Sequence, residues 1–325
     1  MPGDSASVGP PPGAGPRPVE ILEEGKGTRV VRHAAGVTRV PANPRRICAL
    51  VGADELLSIG VRPAAHSISD GNFPDYLASA LEGVPWIPNV YGAHFPNLEA
   101  ILGVRPDLIL TRTRSRQTYE QLSKIAPVVV LLDHLEHYRQ RTLDVGAIVG
   151  RRRQAEARVA WYDTKVRAAR EVLGRELGGR TMALMRVTPK AYRLYGDDAN
   201  GQHVQPVLYG DLKVRRPGLA NERSWSATMS PEGLLRLDAD YLIVAADRTP
   251  GSRRKLGDIF GHPVWKRVPA VRNGRVLTIE EYRHWADPGI LGRGRAIDDV
   301  LRAVAPESIE DVKAQAEVAL RQAGG

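Results

Sequence analysis

A single cysteine, Cys48, stands among the 325 residues. One thiol excludes a disulfide framework within the chain, a thiolate zinc site and a cysteine-held iron–sulfur cluster. It lies in Arg46-Ile47-Cys48-Ala49-Leu50, which reads as a buried strand in which the thiol is a small core hydrophobe. Aromatic residues are scarce, with only three Phe, so the positions of Trp and Tyr carry information. No run of 18 or more apolar residues is present, which excludes a membrane-spanning helix. No apolar leader follows Met1-Pro2-Gly3-Asp4. Gly-x-Ser-x-Gly elbows, Walker loops and glycine-rich dinucleotide fingerprints are missing too. The fragment Gly292-Arg293-Gly294-Arg295-Ala296 does not follow a strand in the way such a fingerprint needs. The chain does not read as an enzyme.

What is present is length enough for two lobes of ordinary size. The net charge of +9 comes mostly from Arg. That balance is compatible with nucleic acid, an anionic surface or an anionic small ligand, or simply with an Arg-rich surface. No helix-turn-helix, zinc or RNA-binding signature accompanies it, so nucleic acid is not expected as a partner. The first 18 or so residues are rich in Pro, Gly, Ala and Ser and cannot bury enough surface to fold. A flexible tether is expected over 1–27, and a membrane anchor is expected to have stood at its end.

Beyond the tether, residues 28–40 alternate around Ala35-Gly36 as a hairpin. Strands are expected at 46–50, 61–67, 107–111 and 128–132, with helices at 53–59, 97–104 and 118–125. Such alternation predicts a parallel sheet covered on both faces. From 152 to 177 the pattern changes. Ala155, Val159, Tyr162, Val166, Ala169, Leu173 and Leu177 recur at spacings of three and four, a single helical stripe about 39 Å long. Gly178-Gly179 ends it. A second α/β series follows, with strands at 181–187, 192–195, 241–245 and 276–279. Its helices are expected at 204–212, 231–237, 289–304 and 307–321. The organisation expected is therefore an N-terminal lobe over 28–150, a linking helix over 151–178 and a C-terminal lobe over 179–325.

A short internal repeat supports two lobes of common origin. Residues 97–110 read NLEAILGVRPDLIL, and 133 positions later SPEGLLRLDADYLI. Asn97 and Ser230 stand as N-caps, Glu99 and Glu232 share a first-turn position, and Asp107 and Asp240 each precede an apolar strand.

The segments Asn43-Pro44-Arg45-Arg46-Ile47-Cys48-Ala49-Leu50 and Glu55-Leu56-Leu57-Ser58-Ile59-Gly60-Val61-Arg62-Pro63 resemble the first strand and helix of a known family. So do Pro96-Asn97-Leu98-Glu99-Ala100-Ile101-Leu102, Arg105-Pro106-Asp107-Leu108-Ile109-Leu110, Lys124-Ile125-Ala126-Pro127-Val128 and, further on, Trp225 with Ser230-Pro231-Glu232-Gly233-Leu234-Leu235. The family is that of iron-siderophore and cobalamin-binding proteins of ABC importers, and the resemblance runs over roughly 28–304. It implies two α/β lobes joined by one long backbone helix, with the ligand held in the cleft between them. It also implies an extracytoplasmic lipoprotein or periplasmic protein working with a permease and its ATPase; the chain is expected to be a monomer. The lipid-attachment Cys of such proteins is missing, and Cys48 cannot replace it.

Candidate ligand residues follow from where ligands collect in parallel sheets, beyond the carboxyl ends of the strands. After the 107–110 strand comes Thr111-Arg112-Thr113-Arg114-Ser115-Arg116, and before the Glu99 helix Tyr91-Gly92-Ala93-His94. Arg112, Arg114 and Arg116 suit the oxygens of an anionic ferric chelate, of catecholate or citrate-like hydroxycarboxylate type. The second half offers Tyr195, Arg223, Trp225, Tyr282, Arg283 and Trp285, whose aromatic faces could stack on a chelate rim. The resemblance places Trp225 and the segment after 276–279 at ligand positions, and assigns Glu99 and Glu232 to permease docking. No cofactor and no direct metal ligand are expected, since the chelator holds the iron. Cobalamin or haem is the alternative ligand, with His94 or Tyr91 as an axial group for haem. A metal-ion binder would need three or four converging ligands, and of eight His only His134 and His137 are close in sequence.

Overall fold

A computed structural model describes residues 18–68, 75–88, 96–113, 115–131, 137–195, 206–218, 226–279, 282–286 and 289–324. It divides into two compact units, Met1–Val159 with Ala323–Gly325, and Ala160–Gln322.

The first unit opens with β1 (Glu20–Glu24), β2 (Thr28–His33) and β3 (Gly36–Pro41), a three-stranded antiparallel sheet in that order. The tether expected over 1–27 is thus corrected at its C-terminal end. Ile21 pairs with Val31 and packs on the core, so this stretch has both a ladder and an apolar face to bury. Then follow β4 (Ile47–Ala49), α1 (Ala53–Ser58), β5 (Ala65–His66), α2 (Asp75–Leu81), α3 (Leu98–Val104), β6 (Leu108–Thr111), α4 (Arg116–Ser123), β7 (Val128–Val130) and α5 (Tyr138–Ile148). The four parallel strands run in the order β5-β4-β6-β7. Their residues are buried on both faces, which is why they read as short continuous apolar runs. Ile47, Leu108, Leu110 and Val129 are essentially inaccessible, each worth about 1.5–3 kcal/mol of burial.

Two helix starts in this unit carry side-chain caps, Asn97 as expected and Ser115 unannounced by the sequence pattern. Asn97 Oδ1 accepts the Ala100 N–H at 3.0 Å, and Ser115 Oγ accepts the Thr118 N–H at 3.2 Å. The second cap draws α4 two residues earlier than its apolar pattern indicated. Buried charge is paired. Arg141 donates from Nε to Glu55 Oε1 at 2.6 Å, both side chains almost wholly enclosed. Asp144 is different. It accepts from Gln140 Nε2 at 2.8 Å and from the Val19 N–H, but its Oδ2 has no hydrogen-bond partner among the described residues. Burial pushes its carboxyl up to about 6, against these two bonds. Cys48 is wholly buried, and burial raises its thiol to about 12.

The helix α6 (Arg152–Leu177) has the limits its stripe announced, and the two compact units divide within it, between Val159 and Ala160. The second unit continues with β8 (Met182–Val187), β9 (Tyr192–Tyr195), a turn of π-helix (Pro206–Asp211), β10 (Ser226–Met229), a 3₁₀ turn (Glu232–Arg236) and β11 (Tyr241–Ala246). After these come α7 (Pro250–Gly261), a 3₁₀ turn (Trp265–Arg267), α8 (Pro269–Arg272), β12 (Val276–Ile279), α9 (Arg283–Ala286) and α10 (Ile290–Val304). A 3₁₀ turn (Pro306–Ser308) and α11 (Ile309–Gly324) close the chain. The expected helices at 204–212 and 231–237 are corrected to a π turn and a 3₁₀ turn. The sheet order is β10-β9-β8-β11-β12, with β8, β11 and β12 parallel and β9 and β10 antiparallel. One face of it buries Met185, Val187, Tyr192, Leu194, Leu242 and Val244.

Close approaches mark where helices meet. A Cβ at Gly294 of α10 would stand 2.5 Å from Trp161 Cη2 of α6, and one at Gly146 of α5 would stand 2.4 Å from the Ala155 Cβ. Gly294 therefore belongs to a packing seam, which accounts for the glycine-rich fragment noted in the sequence.

Candidate binding site

In an open parallel sheet the loops diverge where the strand order reverses, and the carboxyl ends there leave a crevice. In the second unit that reversal lies between β8 and β11. Arg186, one residue from the end of β8, and Asp247, the residue after β11, meet there. Arg186 donates from Nε to Asp247 Oδ1 at 2.8 Å and from Nη2 to Oδ2 at 2.9 Å. The Asp247 N–H is fixed to the Val187 carbonyl at 3.1 Å, so the carboxylate is held by backbone as well.

Strand alternation supplies the rest. Met185 and Val187 point into the core, so Arg186 points to the other face. Arg186 lies opposite Arg193 of β9, and Tyr195 is two residues further along the same strand, on the same face. Arg186 Nη1 reaches the Tyr195 hydroxyl at 3.5 Å. Its guanidinium carbon sits 4.3 Å from the ring centroid of Tyr282, which follows β12. The rings of Tyr195 and Tyr282 are stacked, 5.8 Å apart and 14° from parallel. Burial works against the Arg186 charge, but the hydrogen bonds to Asp247 and Tyr195 outweigh it and hold the guanidinium above its ordinary pKa.

Tyr282 is positioned by the segment it opens. His284 Nε2 lies 2.5 Å from Asp299 Oδ2, Trp285 Nε1 donates to the same oxygen at 3.0 Å, and Arg302 Nη1 holds Asp299 Oδ1 at 2.7 Å. Trp285 is thereby buried with its indole N–H satisfied by α10. Arg283, half-buried, begins α9.

In the first unit the strand order reverses between β4 and β6. Gly52 stands there with φ +85°, a conformation open to glycine, and caps α1. The buried carboxylates Asp54 and Glu55 follow, Asp54 accepting from the Tyr76 hydroxyl at 2.8 Å. Arg112 comes directly after β6 and is half-buried. Arg116 lies on the exposed first turn of α4 and pairs with Glu120 at 2.7 Å. Glu99 and Glu232 are exposed. The own backbone N–H and the Ser230 hydroxyl hold the Glu232 carboxyl below the usual carboxylate range. Tyr91, His94, Arg114, Arg223 and Trp225 lie outside the described residues, as does His134.

The structure therefore brings Tyr195 and Tyr282 together and adds Arg186 and Asp247, which sequence reasoning missed. The signal was available: Arg186 is the one charge within the apolar strand Met182–Val187. Among the described residues no three His, Cys, Asp or Glu side chains gather to hold a metal ion, and no helix is long and apolar enough to cross a membrane.

Residues 52–282 match the family model described as periplasmic binding protein, and the chain belongs to that family, whose members bind substrates and are not enzymes. The probable siderophore-binding lipoprotein YfiY of Bacillus subtilis (strain 168) is 27% identical over 289 residues, covering 84% of this chain and 86% of that one. The achromobactin-binding periplasmic protein of Dickeya dadantii (strain 3937) is 27% identical over 271 residues, covering 80% and 86%. Among solved structures, Staphylococcus aureus SirA complexed with staphyloferrin B superposes with a TM-score of 0.69 at 23% identity, covering 84% of this chain and 97% of that one. This likeness establishes the fold: α/β units with parallel strands, and one long helix.

Proposed function

We propose that this chain is the solute-binding component of an ATP-driven importer and that its solute is a ferric siderophore with anionic donor groups. The observation that carries the reading is Arg186 at the strand-order reversal of the second unit, braced by Asp247 and backed by the stacked Tyr195–Tyr282 pair. A guanidinium spends two of its five N–H groups on Asp247 and keeps others for carboxylate, catecholate or hydroxycarboxylate oxygens. The two tyrosine rings are nearly buried and back the guanidinium, fixing its plane toward the solute. The relatives named for siderophores support the solute class, and the words lipoprotein and periplasmic in their names support an extracytoplasmic place, with a lipid anchor ahead of the tether.

Arg112, Arg114 and Arg116, with Tyr91, His94, Arg223, Trp225, Arg283 and Trp285, remain further ligand candidates in this reading. Glu99 and Glu232 are the docking acids for basic residues of a permease. The chain acts as a monomer with that permease and its ATPase.

Fluorescence quenching against a ferric tricatecholate, a ferric citrate-type chelate, a neutral ferric trihydroxamate, haemin and cobalamin tests the solute. The two anionic iron chelates should bind about tenfold or more tighter than the trihydroxamate, a difference of ~1.4 kcal/mol. Preference for the trihydroxamate would refute the anionic class, and preference for haemin or cobalamin the siderophore itself.

A further inference from the structure

An exposed leucine needs no explanation on its own. Two at matching positions of an internal repeat do. Seven large apolar side chains are markedly exposed among the described residues, and the two that fall within the repeated segment are Leu102 (54%) and Leu235 (40%). Each follows a residue with no exposure at all, Ile101 and Leu234. Each short helix thus buries one apolar residue of the pair and presents the next. Among the described residues nothing buries the presented one, and a polar residue there would leave the core intact.

Both leucines stand three residues after a first-turn acid, Glu99 or Glu232. In α3, an α-helix, positions i and i+3 are neighbours on one face. In the 3₁₀ turn Glu232–Arg236 they eclipse one another. The acid and the leucine are therefore side by side in both units although the two helices differ in type. Glu232 has a distant neighbour in His262, 3.8 Å away. These acidic and apolar spots lie on a chain with a net charge of +9.

We propose that Leu102 and Leu235 are the apolar halves of two equivalent docking epitopes, each an acid beside a leucine. Their occupant is a membrane permease offering a basic group beside an apolar pocket at two equivalent places. Two copies of one epitope fit a partner built from two like halves. The paired acid selects a basic protein surface over the anionic surface of a membrane, from which carboxylates are repelled. This rests on the importer reading and deepens its docking step by adding residues to which that reading gives no role.

The test uses the full chain and its cognate permease–ATPase complex in nanodiscs, with affinity read by interferometry and ATP hydrolysis alongside. Leu102→Ser with Leu235→Ser should weaken complex formation about tenfold or more, each single change giving a smaller and comparable part. Melting temperature and chelate affinity should stay at wild-type values, because both side chains are exposed. Glu99→Ala with Glu232→Ala is measured in parallel. Wild-type binding by the leucine pair with loss in the glutamate pair overturns the apolar epitopes and leaves docking through acids standing. Wild-type binding by both pairs overturns the docking surface altogether. Unchanged permease binding with lost self-association in sedimentation, or with lost binding to vesicles of anionic phospholipid, assigns the leucines to another occupant and equally overturns the proposal.

Discussion

Asp107 and Asp240 make the same bond in different units. Asp107 accepts the N–H groups of Arg45 and Arg46 at 2.7 and 2.9 Å, and Asp240 accepts the Thr181 N–H at 2.8 Å. Each acid precedes its own strand and grips the backbone just ahead of the neighbouring parallel strand. The register agrees, Leu108 facing Ile47 and Tyr241 facing Met182. Lone backbone donors at the head of a strand lack a ladder partner, and the carboxylate supplies one. The repeat thus extends from a 14-residue sequence match to a shared strand-pairing device.

Replacing either acid by Ala is expected to cost about 1–2 kcal/mol. The two losses should add, since the acids share no partner, and urea unfolding of both singles and the double checks it. The Thr181 N–H, chiefly, holds the Asp240 carboxyl below its ordinary 3.8. The Asp240 contribution should therefore be complete above that value and vanish as pH falls through the lower folded-state pKa.

Asp144 should behave in the opposite sense. Its folded-state pKa of about 6 lies above the ordinary 3.8, so its protonated form favours the fold. The stability it confers is fully present below about pH 4 and is lost as pH rises through 6. Asp144→Asn should accordingly stabilise the protein at pH 7.5, by at most ~3 kcal/mol, and confer little below pH 4. Thermal melts across pH 4–8 that show a constant difference would contradict this.

Arg186→Gln should reduce affinity for an anionic ferric chelate by about tenfold or more while leaving the Tyr195–Tyr282 stack. Arg186→Lys should recover little, because an ammonium cannot hold Asp247 at two points. Quenching titrations of the two variants that match wild type would remove Arg186 from the site.

Gly294→Ala pits about 1 kcal/mol of helix propensity against the steric cost of pushing on Trp161. Overpacking of about 1–3 kcal/mol should win, so a net loss near 1 kcal/mol is expected, with a shift in tryptophan emission. An increase in stability would mean that Trp161 swings aside freely.

The long helix was legible to the residue because its stripe repeats over about six turns and Gly178-Gly179 stops it. The parallel strands were legible because burial on both faces leaves apolar runs. The 3₁₀ turn at Glu232–Arg236 was read as a full helix, since Ser230, Glu232 and the leucine pair mimic a helix start. A turn of five residues gives too little periodicity to tell the two apart. β1 was hidden because only Ile21 of its five residues turns inward. Arg186 was passed over because alternation was read for the apolar positions alone. Its partner Asp247 has no sequence signal, being brought to it by the parallel pairing of β8 with β11.

Cys48 has a practical consequence. A thiol that is wholly enclosed and pushed up to about 12 by burial is almost entirely protonated at neutral pH, and only the thiolate attacks maleimides and iodoacetamides. The native cysteine need not be removed before a second one is introduced for labelling. A fluorophore attached to a new surface cysteine beside Tyr282 would report occupancy from a single defined position, which turns the protein into a sensor for its own solute without any change to its core.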